Sequence, residues 1–87
     1  MGIERVLDVR CLEQPEPLLR ALAALDDLGN GEYLRLLSDR DPVLLYPLLA
    51  QQGFAYEKPV GRDKTVEVLI WRAGDAIAEQ GVRDLSA

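Results

Sequence analysis

Leucines recur at helical spacing in the first third of the chain. Leu18, Leu22 and Leu25 fall on one side of a helix that the pattern predicts over residues 15–28. Gly29 follows directly, at a position typical of a left-handed helix cap. The stripe predicts an amphipathic helix with one buried face.

A second helix is predicted to begin at Asp41-Pro42, because aspartate is a favoured N-cap and proline suits the first helical turn. Its buried face is expected to consist of four leucines: Leu44, Leu45, Leu48 and Leu49. Gly53 follows as a C-terminal stop. Pro47 removes one backbone hydrogen bond inside this segment, so we expect a kink or a short 3₁₀ start.

Shorter segments have the composition of β-strands, and we predict them at residues 5–9, 32–38, 54–58 and 65–72. The last is the clearest, since Val66, Val68 and Ile70 alternate with more polar positions. Pro59 follows the third strand and predicts that it lies at a sheet edge. A turn over residues 61–64 would join the third strand to the fourth.

The resulting order, β-α-β-α-β-β, defines the expected fold class. A right-handed β-α-β connection makes the first two strands parallel and places both helices on one face. We therefore predict an α/β (α+β) two-layer sandwich with a four-stranded mixed sheet whose other face is solvated or open to a partner. Residues 1–72 would form a single domain. Residues 73–87 have little periodicity and are predicted to be a flexible tail, with at most a weak turn at Ala76-Ile77.

Composition excludes several classes of function. The net charge is −5 and the chain has no Lys/Arg run, which disfavours nucleic acids and anionic membranes. The absence of histidine removes His-based catalysis and most zinc or haem sites. Cys11 is the single cysteine and fits a reducing cytosol. No apolar run approaches the ~20 residues of a membrane span. We expect a cytoplasmic protein without a cofactor.

The loop before the first helix carries the most informative motif, Gln14-Pro15-Glu16-Pro17. Two prolines separated by one residue are typical of a strand-to-helix corner. The position just before such a corner faces the positive end of a helix, where a thiolate or an anion would be stabilised. This position is held by Gln14, whose amide cannot act as a nucleophile.

The stretch over residues 7–17, LDVRCLEQPEP, resembles the opening of TusA/SirA-like proteins, which carry Cys-Pro-x-Pro at the head of the first helix. Residues 39–49, DRDPVLLYPLL, with GFAY at 53–56, more specifically resemble an uncharacterised, domain-of-unknown-function branch of that superfamily. The resemblance covers residues 4–72 and implies the same sandwich, with sheet order 1-2-4-3.

TusA-type members carry a persulfide on the motif cysteine and relay sulfur to partner proteins. In this chain Gln14 stands at that cysteine, and Cys11 stands where the family usually has glycine. Some related branches have a histidine where this chain has Arg40. The resemblance therefore implies the fold but not the sulfur-transfer role.

The carboxyl ends of the first two strands define the candidate site, because ligands in open α/β sheets favour that edge. We expect it to gather polar residues of both loops: Asp8, Arg10, Cys11, Gln14, Pro15, Glu16, Asp39, Arg40 and Asp41. Arg10 and Arg40 would clamp an anion or a partner carboxylate. The alternative is structural: Asp41 caps the second helix, and the arginines pair with neighbouring aspartates.

Three further candidates carry less weight. A magnesium site would use four carboxylates, those of Asp8, Glu13, Asp39 and Asp41, but Asp-x-Asp is too common a pattern to support it. Cys11 is a candidate nucleophile, or else an inert small residue in the place of glycine. Tyr56 and Trp71, with Tyr33, form either an aromatic docking patch or part of the core.

These features predict a small TusA-like accessory domain that binds other proteins and performs no chemistry. One alternative is a divergent sulfur carrier or transferase that uses Cys11. A second is a module that binds small anions or RNA through Arg10 and Arg40. We expect a protein partner for a chain that is a monomer or a weak dimer.

Overall fold

The computed structural model describes residues 2–59 and 65–85, and within these ranges one sheet and three helices are formed. The strands are β1 (Ile3–Asp8), β2 (Glu32–Ser38), β3 (Phe54–Glu57) and β4 (Val66–Arg72). The helices are α1 (Glu16–Asp26), α2 (Leu45–Gln51) and α3 (Ala76–Leu85). The turn predicted at 61–64 lies outside the described residues.

The strand order is β1-β2-β4-β3, so β3 lies at a sheet edge as its following proline predicts. β1 runs parallel to β2, whereas β4 is antiparallel to both β2 and β3. The predicted fold class and the order 1-2-4-3 are therefore confirmed. None of the described helices is long and apolar enough to cross a membrane.

One face of the sheet carries the main hydrophobic core. Alternate residues of the two central strands point to this face, and α1 and α2 pack over them with side chains that are at most 2% exposed: Leu34, Leu36, Val68, Ile70, Ala21, Leu25, Leu45 and Leu49. Burial of a leucine-sized side chain contributes about 1.5–3 kcal/mol. The apolar residues of the predicted strands and those of the two predicted helices thus form one core, and both helices lie on the same face of the sheet.

The second face is partly covered by α3, which corrects the prediction of a flexible tail after residue 72. Ala78 and Val82 are fully buried against Tyr33, Leu69 and Trp71 of the central strands. The helix was not predicted because its buried positions are small and few. A short helix of this kind is stabilised mainly by tertiary packing rather than by its own propensity.

Glycine permits a close contact between α3 and the start of β1. A Cβ added at Gly81 would lie 2.8 Å from the Cα of Gly2 and 2.9 Å from Cε1 of Tyr33. Real Cβ contacts are not this short, so the helix backbone rests directly on the N-terminal strand only because position 81 lacks a side chain.

The rest of the second face is charged. Arg35 of β2 lies between two carboxylates of the neighbouring strands, with Nη2 2.9 Å from Glu4 Oε1 and Nε 3.0 Å from Glu67 Oε1. The contact at Nε is an ion pair without the alignment of a hydrogen bond. Val6 pairs in register with Arg35 and is 57% exposed. This part of the sheet is therefore solvated rather than a bare apolar patch.

Two local predictions about helix ends are wrong. Asp41 does not cap α2, which begins at Leu45 with Leu44 in the cap position and no side-chain cap. Pro47 therefore falls in the first helical turn, where its missing N–H removes no helical bond. Gly29 does not adopt a left-handed conformation after α1. Gly31 does so two residues later, with φ +77°.

Candidate binding site at the carboxyl ends of β1 and β2

Parallel pairing brings the loops after β1 and β2 together at one edge of the sheet. The N–H of Val9 extends the pairing by donating to the carbonyl oxygen of Leu37 at 2.9 Å. Beyond it, the N–H of Cys11 donates to Asp39 Oδ2 at 2.6 Å. The two loops are thus joined by a side-chain contact as well as by the sheet.

Two adjoining cavities open at this edge. The first, called here the apolar cleft, has a volume of about 210 Å³ and lies between α1 and the loop before α2. Its lining is mostly apolar and consists of Val9, Gln14, Pro17, Leu18, Ala21, Leu36, Ser38, Arg40, Asp41, Pro42, Val43, Leu44 and Leu45. The second, called the polar recess, measures about 470 Å³ and is lined by Val9, Cys11, Leu12, Glu13, Gln14, Pro17, Ser38, Asp39 and Arg40. Gln14 and Arg40 lie where the two cavities meet.

Arg10 does not contribute to either cavity, because Asp8 holds it. Its Nε and Nη2 atoms donate to Oδ1 and Oδ2 of Asp8 at 2.9 and 2.7 Å, and its backbone N–H donates to Oδ1 at 3.0 Å. These hydrogen bonds lower the pKa of Asp8 to about 2. The predicted clamp of Arg10 with Arg40 is therefore not formed, and the alternative pairing of Arg10 with its neighbouring aspartate is observed.

Asp41 anchors its loop to α2 and to the residue that follows β3. The Tyr46 hydroxyl donates to Asp41 Oδ1 at 2.5 Å, and Lys58 Nζ lies 3.5 Å from Oδ2. The Tyr46 hydrogen bond is the main cause that lowers the pKa of Asp41. Burial, followed by this hydrogen bond, raises the pKa of Tyr46. The Tyr46 ring also stacks on Tyr56, with centroids 4.6 Å apart.

Arg40 is held by its backbone and not by its side chain. The Ser38 hydroxyl donates to the carbonyl oxygen of Arg40 at 2.7 Å and accepts from its N–H at 3.3 Å. Ser38 is only 7% exposed, so the hydroxyl that holds this turn is itself fixed by burial. Within residues 2–59 and 65–85, the Arg40 guanidinium forms no ion pair. A fixed backbone thus presents a guanidinium that is available to a ligand.

Cys11 lies exposed in the polar recess, with φ +68°. This left-handed conformation favours glycine and costs other residues about 1 kcal/mol or more. Glu13 and Asp39 line the same recess. Arg40 also lines the recess, but reactive thiols occur in electropositive surroundings, and here two carboxylates outnumber one guanidinium.

The other predicted site residues lie outside both cavities. Pro15 is the N-cap residue of α1, and Glu16 begins the helix and pairs with Arg20 at 3.3 Å. Two of the four carboxylates suggested for magnesium already have other partners, since Asp8 binds Arg10 and Asp41 binds Tyr46. In the part of the chain that the structure describes, no group of three or more His, Cys, Asp or Glu residues could hold a metal ion.

Of the two alternatives for the aromatic residues, the structure supports the core for Tyr33 and Trp71. Tyr33 and Trp71 are 4% and 8% exposed beneath α3. Tyr56 is 41% exposed and pairs in register with Ile70, whose side chain belongs to the opposite face of the sheet. Tyr33 and Trp71 are therefore part of the core beneath α3, whereas the Tyr56 ring stacks on Tyr46 of α2.

Sequence reasoning missed the exposed apolar residues beside the cleft. Val43 and Leu44 are 61% and 65% exposed although both line it. Leu44 was expected on the buried face of the second helix. Because α2 begins only at Leu45, Leu44 precedes the helix and lies at the mouth of the cleft instead. The delayed start was signalled by Pro47, which is tolerated only in a first helical turn.

Comparison with known structures identifies the class of this α+β protein. The fold is similar to the crystal structure of a SirA-like protein from Desulfitobacterium hafniense, with a TM-score of 0.67 and 27% sequence identity over 78% of this chain and 95% of that chain. A search of curated proteins gave no match. The model of the family DUF2249, described as an uncharacterized conserved protein, matches residues 6–72. The chain therefore belongs to the DUF2249 family, and the predicted kinship with an uncharacterised SirA-like branch is confirmed.

Proposed function

We propose that this protein is a non-catalytic interaction module that binds a partner protein at the edge where β1 and β2 end. The observation that carries the proposal is an apolar cleft with exposed aliphatic residues at its mouth, beside a guanidinium without an ion pair among the described residues. An apolar centre with a polar rim is the usual anatomy of a protein interface. Gln14, an amide, occupies the corner where a reactive group would otherwise act.

The apolar cleft is by itself too small to enclose a cofactor, although the adjoining polar recess, at about 470 Å³, is not. Small-molecule pockets usually measure ~300–1,000 Å³ and enclose most of the ligand. The cleft, at about 210 Å³, is smaller and suits one inserted side chain. A docked partner would remove the apolar side chains of Val43 and Leu44 from water, and exposed apolar surface of this kind is typical of interaction sites.

Site-specific photocrosslinking tests this proposal. A benzophenone amino acid is placed at Val43 and, as a matched control, at Ala23, which is exposed on α1 and lines neither cavity. We expect discrete crosslinked proteins from position 43 in a lysate of the native host, which are lost when Arg40→Gln is added and absent from position 23. The same products from both positions would contradict the proposal.

The exposed thiol of Cys11 in the polar recess favours a second candidate function, a sulfur carrier. In this reaction the Cys11 thiolate attacks the outer sulfur of a cysteine desulfurase persulfide. A new S–S bond forms on Cys11, and the desulfurase cysteine leaves as a thiolate. Mass spectrometry after incubation with desulfurase and cysteine would detect one added sulfur. Such an adduct, absent from Cys11→Ser, would replace the non-catalytic proposal.

A further inference from the structure

We infer that the partner segment carries an apolar side chain directly beside a single carboxylate. The side chain fills the apolar cleft and the carboxylate pairs with Arg40. This inference rests on the proposed function and specifies the chemistry of its partner. It follows from the floor of the cleft, its charges and the shape of the adjoining recess.

The floor of the cleft belongs to the hydrophobic core. Val9, Ala21, Leu36 and Leu45 are each at most 2% exposed, so an inserted group would contact closely packed aliphatic atoms. A volume of about 210 Å³ exceeds the ~150 Å³ of an apolar cavity that takes up benzene. The space therefore accepts one side chain of the size of leucine or phenylalanine.

The charges of the cleft select a carboxylate. Its two charged lining residues are Arg40 and Asp41. Asp41 is already bound by Tyr46 and Lys58, whereas Arg40 forms no ion pair within the described ranges. An inserted carboxylate would give Arg40 a partner that its fork of N–H donors matches. An inserted ammonium group would instead meet this unpaired positive charge.

The whole chain limits the partner to a short acidic feature. With a net charge of −5, the protein repels a long acidic tract at a distance. A segment with one carboxylate beside an apolar residue can pair with Arg40 and is repelled much less by the net negative charge of the protein. The backbone of Arg40 is also fixed by Ser38, which lowers the entropy that must be lost on binding.

The polar recess favours a peptide over a free apolar acid. A small acid would occupy the cleft and Arg40 alone. A peptide continues past Arg40 into the recess, which shares five lining residues with the cleft: Val9, Gln14, Pro17, Ser38 and Arg40. The Gln14 amide lies at this junction and offers a donor and an acceptor to a peptide main chain.

Titration of the folded protein with capped hexapeptides, followed by amide NMR shifts, tests the inference. The peptides share a Gly/Ser frame with a central Leu-Asp, Leu-Asn, Ala-Asp or Leu-Lys pair. We expect Leu-Asp to bind roughly tenfold more tightly than each of the others, a difference of ~1.4 kcal/mol. The shifts should concentrate at Ala21, Leu36 and Arg40.

Two variants separate the role of Arg40 from a general effect of charge. Arg40→Gln should abolish the preference for Leu-Asp over Leu-Asn, while Arg83→Gln, an equal change of charge on the exposed side of α3, should preserve it. Unchanged thermal unfolding of Arg40→Gln establishes that the fold is intact. Equal binding of Leu-Asp and Leu-Asn to the native protein would overturn the inference.

The remaining outcomes are also decisive. If 4-methylpentanoate binds as tightly as the Leu-Asp peptide, the site recognises free apolar acids and the peptide assignment is wrong. If no peptide binds saturably while position 43 still gives crosslinks that require Arg40, the partner chemistry is wrong and the proposed function stands. If both peptide binding and crosslinking are absent, both proposals fail.

Discussion

Asp75 accepts a hydrogen bond from the N–H of Gly31 at 2.8 Å, across 44 residues of the chain. Its other carboxylate oxygen accepts from the N–H of Ala78 at 3.1 Å, within the first turn of α3. One side chain therefore caps α3 and joins its start to the left-handed turn before β2. This contact explains how a helix with few buried apolar side chains keeps its place on the sheet.

Asp75→Asn should lower the stability of the protein. An asparagine amide cannot accept both N–H groups with its single oxygen, so one of them loses its partner. Urea unfolding followed by circular dichroism should give a lower midpoint than the native protein. Asp84→Asn, on the exposed side of the same helix, is the matched control and should change the midpoint little. Equal losses in both variants would contradict the role of Asp75.

The contribution of Asp75 should depend on pH. Hydrogen bonds from Gly31 and Ala78 lower its pKa, so the folded state binds a proton less readily than the unfolded chain. The stabilisation is present above the unfolded value, ~3.9, and is lost as the pH falls through the lower folded value. The difference in stability between the native protein and Asp75→Asn should therefore shrink between pH 5 and pH 2. Urea unfolding of both proteins at about four pH values would measure this difference. A constant difference would contradict this assignment.

Gly81→Ala should destabilise the protein by about 1–3 kcal/mol, because the added Cβ would overlap Gly2 and Tyr33. Intrinsic helix propensity alone predicts the opposite, a gain of ~1 kcal/mol. Gln80→Ala, at an exposed position of the same helix, serves as control and should be nearly neutral. Displacement of α3 would also expose Trp71 and shift its fluorescence to longer wavelength. A variant as stable as the native protein would show that α3 does not contact β1.

Cys11→Gly should stabilise the protein by about 0.5–1 kcal/mol. Glycine adopts the φ of +68° without strain, and this gain exceeds the entropy that glycine loses on folding. Cys11→Ala retains a Cβ and removes only the thiol, so it should show no comparable gain. Thermal unfolding of the two variants separates backbone strain from an effect of sulfur. Equal stability of the glycine and alanine variants would rule out strain.

Tyr46→Phe should cost about 1 kcal/mol, the usual contribution of one hydrogen bond, because the hydroxyl that binds Asp41 is removed while the stacked ring remains. Amide NMR shifts should change most in the loop over residues 39–44. Tyr56→Phe removes the hydroxyl of the other stacked ring and provides the control. A similar loss in the control would show that stacking, and not the Asp41 contact, holds this loop.

The candidate site was predictable in its location but not in its contacts. Parallel β1 and β2 imply that the loops around Cys11 and Asp39 meet at one edge. The pairing of the arginines with neighbouring aspartates was one of two alternatives, and no pattern in the chain indicates that Arg10 adopts it with Asp8 while Arg40 forms no ion pair among the described residues. Side-chain direction depends on the local backbone after each strand, which the residue types alone leave open.

The ends of the helices, too, were predictable from the sequence only where the signal is local. Asp41 has the local signature of an N-cap, yet its carboxylate binds Tyr46 and Lys58. Both partners lie beyond the loop, so a rule that considers only neighbouring residues assigns the wrong role. Pro47 was the local signal that α2 begins late, since the helix tolerates it in the first turn.

The residue pattern alone predicts the strands, the helices α1 and α2, the parallel edge and the missing nucleophile at Gln14, because these depend on periodicity and on residue type. Folding in three dimensions decided the remaining features: the docking of α3 on Tyr33 and Trp71, the exposed leucine at the cleft, and the arginine left available to a partner. The exposure of Leu44 had a local signal in Pro47, whereas the docking of α3 depends on contacts between residues far apart in the chain, about which local propensity carries no information.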